Sequence, residues 1–176
     1  MSMQHQDHGH EHHDAHEHHE QSFITKYIFS TDHKMISKQF LVTAIFMAVV
    51  SMFMTAIFRL QLGFQGQTFP WLESLIGHWG KDGKLDPGFY LALVTIHGTI
   101  MVFFVLTGGL SGTFSNLLIP LQVGARDMAS GFLNMLSFWF FFVSSCIMFG
   151  SIFVEAGPAS GGWTVYPPLS ALPQAI

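Results

Sequence analysis

LALVTIHGTIMVFFVLTGGLSGTFSNLL, residues 91–118, contains no Asp, Glu, Lys or Arg. A helix satisfies its own backbone N–H and C=O groups, so a stretch of this length and polarity can lie in hydrocarbon, where about 20 residues suffice to cross. The charge-free context extends from Pro87 to Ala125. At roughly 40 Å the predicted helix exceeds the bilayer core, so it tilts or protrudes.

Working outward, the same signal appears twice more. Residues 39–58, QFLVTAIFMAVVSMFMTAIF, form an uncharged run that Arg59 ends, and a third apolar run covers residues 131–154. The reading is an all-α membrane protein with three transmembrane helices, at about 39–58, 91–118 and 131–154, forming part of a larger helical bundle and seated in a lipid bilayer. Composition agrees: 49% of the chain is hydrophobic and only 10% charged, which is outside the soluble norm. Arg59 to Tyr90 is rich in Gly and Pro and reads as an interfacial loop, and Gln122 to Ser130 reads as a polar hinge. The stretch from Val154 on is a Gly- and Pro-rich connector.

The first 20 residues hold eight of the eleven histidines among Asp and Glu. Residues 1–22 are expected to form a disordered His-rich tail, either simply solvated or a weak, unselective ligand for copper, zinc or nickel. The tail has neither a basic nor an apolar signal region, so the first membrane helix serves as translocation signal. QSFITKYIFSTDHKMISK, residues 21–38, is amphipathic and suits the membrane surface. A net charge of −4 provides no basic face, and nucleic acid is excluded as a partner. Cys146 alone builds no disulfide framework. Lys26, Lys34, Lys38 and Arg126 flank one side against Arg59, Lys81 and Lys84 on the other, which puts the N-terminus in the cytoplasm.

His97 lies about 9 Å inside the second helix with no charged neighbour. Two readings stand. In one, a neutral imidazole hydrogen-bonds a facing helix through Thr95, Thr99 or a backbone carbonyl. In the other, it is an axial heme ligand, its second nitrogen held by an acceptor and Gly98 leaving room for a flat macrocycle. Arg59 reads as a snorkelling helix-end cation, Tyr90 and Trp163 as interfacial aromatics, and Asp127 as a residue satisfying free N–H groups at a helix start.

Three phrases in order, the histidine helix, the hinge GARDMA (residues 124–129) and WTVYPPL (residues 163–169), resemble subunit I of the cytochrome c oxidases, in the heme-copper oxygen reductase family. The resemblance runs from FSTDHK to the connector. It implies a twelve-helix fold when complete, with His97 as one axial ligand of low-spin heme a and the second ligand on a later helix. It further implies that Arg59 bonds the heme formyl group, and that Tyr90 and Trp163 lie near the heme. Asp127 matches the mouth of the family's D proton channel, and Asn116 and Asn134 the asparagines just inside it. The implied partners are the remaining helices of the same subunit, an electron-entry copper subunit and cytochrome c. The implied location is a bacterial-type inner (plasma) membrane. Electrons would pass through low-spin heme to a high-spin heme and copper, reducing oxygen to water with proton pumping.

Departures from the pattern limit what transfers. Gln61 stands where many relatives have Glu, leaving a peripheral cation site in doubt. Arg126 replaces a proline beside Asp127 and is expected to lower that carboxyl's pKa, while Met135 replaces a second asparagine. His33 and His78 lie outside the three predicted spans, so ligands for a high-spin heme and copper are not supplied by this stretch. The expectation is a truncated or split subunit that does not turn over alone. Two alternatives remain open: a related quinol or nitric oxide reductase subunit, and a non-enzymatic metal-handling membrane protein.

Overall fold

A computed structural model describes residues 22–77, 80–154, 161–167 and 171. The His-rich tail, His78, Trp79 and much of the C-terminal connector lie outside the described residues. Three helices are long and apolar enough to cross a membrane: α1 (His33–Gly63), α3 (Pro87–Val123) and α4 (Gly131–Gly150), the last running on through a 3-10 turn to Phe153.

α1 and α3 are longer than the predicted helices 39–58 and 91–118, for local reasons, while α4 begins at Gly131, where the third run begins. α1 begins at His33 rather than near residue 39, because Asp32 caps it by accepting the Met35 N–H at 3.2 Å. Lys34 and Lys38 therefore ride on α1 itself. Of the supposed surface segment, only a short π-helical turn, Ile24–Ile28, precedes the helix. α3 begins at Pro87, whose missing N–H does no harm in a first turn, while Asp86 accepts from Gly88 and Phe89. It continues past Pro120 to Val123 and ends at Gly124, which adopts a left-handed φ of 69°. Ser130 caps α4 by accepting the Leu133 N–H at 3.4 Å.

The segment between α1 and α3 is not a plain loop. It holds the short helix α2 (Pro70–Ile76) and an antiparallel hairpin of β1 (Gly80–Lys81) and β2 (Lys84–Leu85). Asp82 and Gly83 turn that hairpin with φ of 54° and 70°, the geometry that an Asp-Gly pair favours. Gln61 Oε1 accepts the Leu85 N–H at 3.3 Å, tying the hairpin to the end of α1.

The core runs between α1 and α3. Met47 and Met54 of α1 meet Phe89, Leu93, Ile96, Ile100 and Phe104 of α3, closed at one end by Leu72 and Leu85. A second cluster joins Ile36 and Phe40 to Phe138 of α4. Between Ile100 and Leu110 α3 is π-helical, and Gly109 and Gly112 let its backbone press against Ala44 and Phe40. The outer faces of α1 (Val42, Phe46, Phe53) and α4 (Phe140, Val143, Ile147) stay exposed, as for helices that meet lipid or further helices.

Candidate functional site: a histidine between two membrane helices and a carboxylate at one end

His97 sits on α3 facing α1, half-buried, and its ring is held by two α1 side chains one turn apart. Ser51, fully buried, places its Oγ 2.7 Å from Nδ1 and its carbonyl oxygen 3.1 Å from the same nitrogen. Thr55 Oγ1 lies 3.0 Å from Nδ1 and 3.3 Å from Nε2. A carbonyl only accepts, so Nδ1 carries the proton and Nε2 keeps the lone pair. The Ser51 hydroxyl also reaches the His97 carbonyl at 3.3 Å.

Of the sequence candidates for holding His97, the facing backbone carbonyl is the one found, that of Ser51, while Thr95 and Thr99 bond carbonyls of their own helix, those of Ala92 and Thr95. Ser51 and Thr55 went unrecognised in the sequence. Together with Phe58, whose ring stands edge-on to His97 at 5.7 Å, they form one face of α1 with spacings of four and three residues.

These residues fit a heme ligand. Nδ1–H is held by a backbone acceptor, as metal-bound imidazoles require; Nε2 has only the long Thr55 contact, and nothing lies within 4 Å of where a Cβ on Gly98 would stand. Arg59 is exposed, one turn beyond Thr55, and bonds no other described residue. Tyr90 is half-buried and packs edge-on against Phe58 at 6.3 Å, so Phe58 links it to His97. Trp163 lies against Phe103 at 5.4 Å, six residues along α3 from His97 and away from the Arg59 end. An apolar cavity of about 550 Å³ opens nearby between Val50, Met54, Leu75, Phe89, Leu93 and Phe149; the described residues that line it include no ionisable group, and His97 is not among them.

At the opposite end of the bundle, Asp127 occupies the hinge between α3 and α4. It does not cap α4, which is Ser130's task; it serves the start of α1, accepting the His33 backbone N–H at 3.3 Å and Nδ1–H at 3.0 Å, besides the Met128 N–H at 2.8 Å. His33 is thus the first residue of α1, ahead of the charge-free run 39–58. Partial burial pushes the Asp127 carboxyl up, but the Met128 N–H, the two His33 bonds and the His33 charge outweigh it and leave it below its ordinary value. The lowering comes from Met128 and His33, not from the adjacent Arg126.

Asn116 and Asn134 lie on the two helices that the hinge joins. Asn116 is buried and donates to the Gly112 carbonyl at 2.6 Å, leaving Oδ1 buried without a partner among the described residues; Asn134 Nδ2 is likewise buried and has none among them. One orphan accepts and the other donates, which is what ordered water satisfies.

Residues 35–176 match the family described as Cytochrome C and Quinol oxidase polypeptide I. The chain is 40% identical over 151 residues to the alternative cytochrome c oxidase subunit 1 of Bradyrhizobium diazoefficiens, covering 86% of this chain and 23% of that protein. It is 37% identical over 146 residues to the cytochrome c oxidase subunit 1 of Thermostichus vulcanus (83% and 23%), and 33% identical over 185 residues to that of Cereibacter sphaeroides (93% and 31%). The chain therefore spans about a quarter of the length of such relatives.

Proposed function

Because this chain belongs to the cytochrome c and quinol oxidase polypeptide I family, we propose that it forms the low-spin heme side and the proton entrance of a membrane terminal oxidase. The observation that carries the reading is the His97 Nδ1–H held by Ser51, which frees Nε2 as a ligand atom.

In this reading His97 would hold a low-spin heme a through Nε2, and that group would supply one-electron transfer toward a high-spin heme and copper held elsewhere in the complete subunit. Arg59 adds a fixed positive charge that favours the reduced state. Tyr90 and Phe58 wall the imidazole on the Arg59 side, and Trp163 covers α3 from outside. Ser51 and Thr55 keep the ring from turning. Asp127 gathers protons, and Asn116 with Asn134 holds the water through which they continue without trapping charge. Electrons come from cytochrome c by way of a copper-bearing partner subunit, oxygen is reduced to water, and protons are pumped. The N-terminal end of α1 and the hinge face the cytoplasm of a bacterial-type plasma membrane.

The test is oxygen consumption by membranes carrying the complete protein, supplied with reduced cytochrome c. His97→Ala is expected to abolish it, and Asp127→Asn to slow it while sparing the heme spectrum. Full consumption in His97→Ala membranes would remove the reading.

A further inference from the structure

The proton entrance contains a side chain that its assigned residues leave out. Where α1 begins, Asp32 caps the helix, His33 is its first residue, and Asp127 arrives from the hinge between α3 and α4. The Asp127 side chain is 48% exposed, whereas that of His33 is 3% exposed. Asp127 Oδ1 has three donors, and two of them belong to His33: its backbone N–H and its Nδ1–H.

A half-exposed aspartate ordinarily samples several rotamers, and holding one conformer requires bonds that outweigh the lost freedom. Here the holder is itself immobile, because the imidazole is packed beneath the surface. It is there at some expense to stability: Nε2 is buried with no partner among the described residues. An apolar side chain of this size would fill the position without that penalty, so the polar edge turned to Asp127 is what the position retains.

Resting on the reading of Asp127 as the proton entrance, we propose that His33 is its positioning residue, the side chain that aims the Asp127 carboxylate. The charged groups facing His33 are few. Asp32 Oδ1 stands 3.6 Å from Nδ1 and Asp127 Oδ1 3.0 Å. Lys34 and Arg126 are exposed sequence neighbours, and neither α4 nor residues 111–123 of α3 carry Asp, Glu, Lys, Arg or His. Ser37, one turn along α1, donates to the Thr113 carbonyl at 2.8 Å, so in this antiparallel pair Asn116 lies on the His33 side of that contact. The aimed carboxylate and the asparagine with the unpartnered oxygen thus share one end of the α1–α3 pair. The His33 bonds and charge also help to hold the Asp127 pKa down, so losing the imidazole raises it.

The test uses the complete oxidase in vesicles, with proton uptake followed by a pH dye and the Asp127 carboxyl titrated by its infrared band. His33→Ala is expected to slow uptake about tenfold, the loss that follows from one charge-assisted hydrogen bond, and to move the titration to higher pH. His33→Asn, whose amide N–H replaces Nδ1–H, is expected to restore both. If His33→Ala loses its heme spectrum, His33→Gln takes its place, its longer amide retaining polarity without the reach to the Nδ1 position. An unaltered rate and titration in the loss variant would overturn the proposal. So would a His33→Asn protein that regains the titration but stays slow, since the imidazole would then be doing more than aiming. Asp127→Asn separates the two levels: slow uptake there with a normal His33→Ala removes only the role of His33, whereas unaltered uptake in Asp127→Asn removes the entrance and this inference with it.

Discussion

Ser51 and His33 are alike in place: each is a buried polar residue of α1 bonded to a side chain from a distant part of the chain, His97 and Asp127. Ser51→Ala removes the Oγ contact while the backbone carbonyl at this position remains, so the ring loosens without being released. The expected effect is about 1 kcal/mol of weakened orientation, read as a lower heme content per subunit and a broadened low-spin heme band. A Ser51→Ala protein with wild-type content and band width would place the restraint on the carbonyl alone. The lowered Asp127 carboxyl has a separate, pH-dependent consequence. A depressed folded-state pKa contributes stability above the unfolded value and loses it as pH falls through the folded value, so its tie between α1 and the hinge fails below about pH 4. Melting temperatures of the detergent-solubilised protein should drop in that range and drop less in Asp127→Asn. His97 was legible in the sequence because a lone imidazole in an apolar run needs a reason. Ser51 and Thr55 were not, because hydroxyls in membrane helices commonly bond their own preceding turn, as Thr55 also does with the Ser51 carbonyl at 3.2 Å.

Two glycines of the α3 region separate packing from conformation at the scale of elements. A Cβ on Gly109 would collide with Ala44, so Gly109→Val should force α1 and α3 apart, at about 1–3 kcal/mol. Gly124 has nothing within 4 Å but holds φ at 69°, so Gly124→Ala should cost about 1 kcal/mol through backbone strain alone. Unfolding in graded SDS ranks the two, and equal losses would contradict the assignment of separate causes. Charge patterning revealed that three helices exist but not where they end, because charges mark the limits of hydrocarbon while caps mark the limits of helices. Asp32 extends α1 below Lys34, and Asp86 with Pro87 starts α3 before the predicted position. The hairpin was missed although Asp82-Gly83 signals a tight turn, because four strand residues are too few for alternation to register.

For the whole molecule, three crossings put His33 and the hinge at one face of the membrane and Arg59, α2 and the hairpin at the other. In the Cys146→Ser background, Met128→Cys and Asp82→Cys should therefore label from opposite sides of sealed vesicles; labelling of both from one side would reject the three-span topology. The exposed apolar faces of α1 and α4 agree with a multi-helix subunit of which this chain matches about a quarter. The proposed function turns on His97. The most direct measurement is the low-temperature electron paramagnetic resonance spectrum of the oxidised complete subunit carrying His97→Ala. The low-spin heme signal is expected to vanish while the copper content of the subunit, read by metal analysis, is retained. A low-spin signal of unchanged position and intensity would mean that His97 is only a packed membrane histidine.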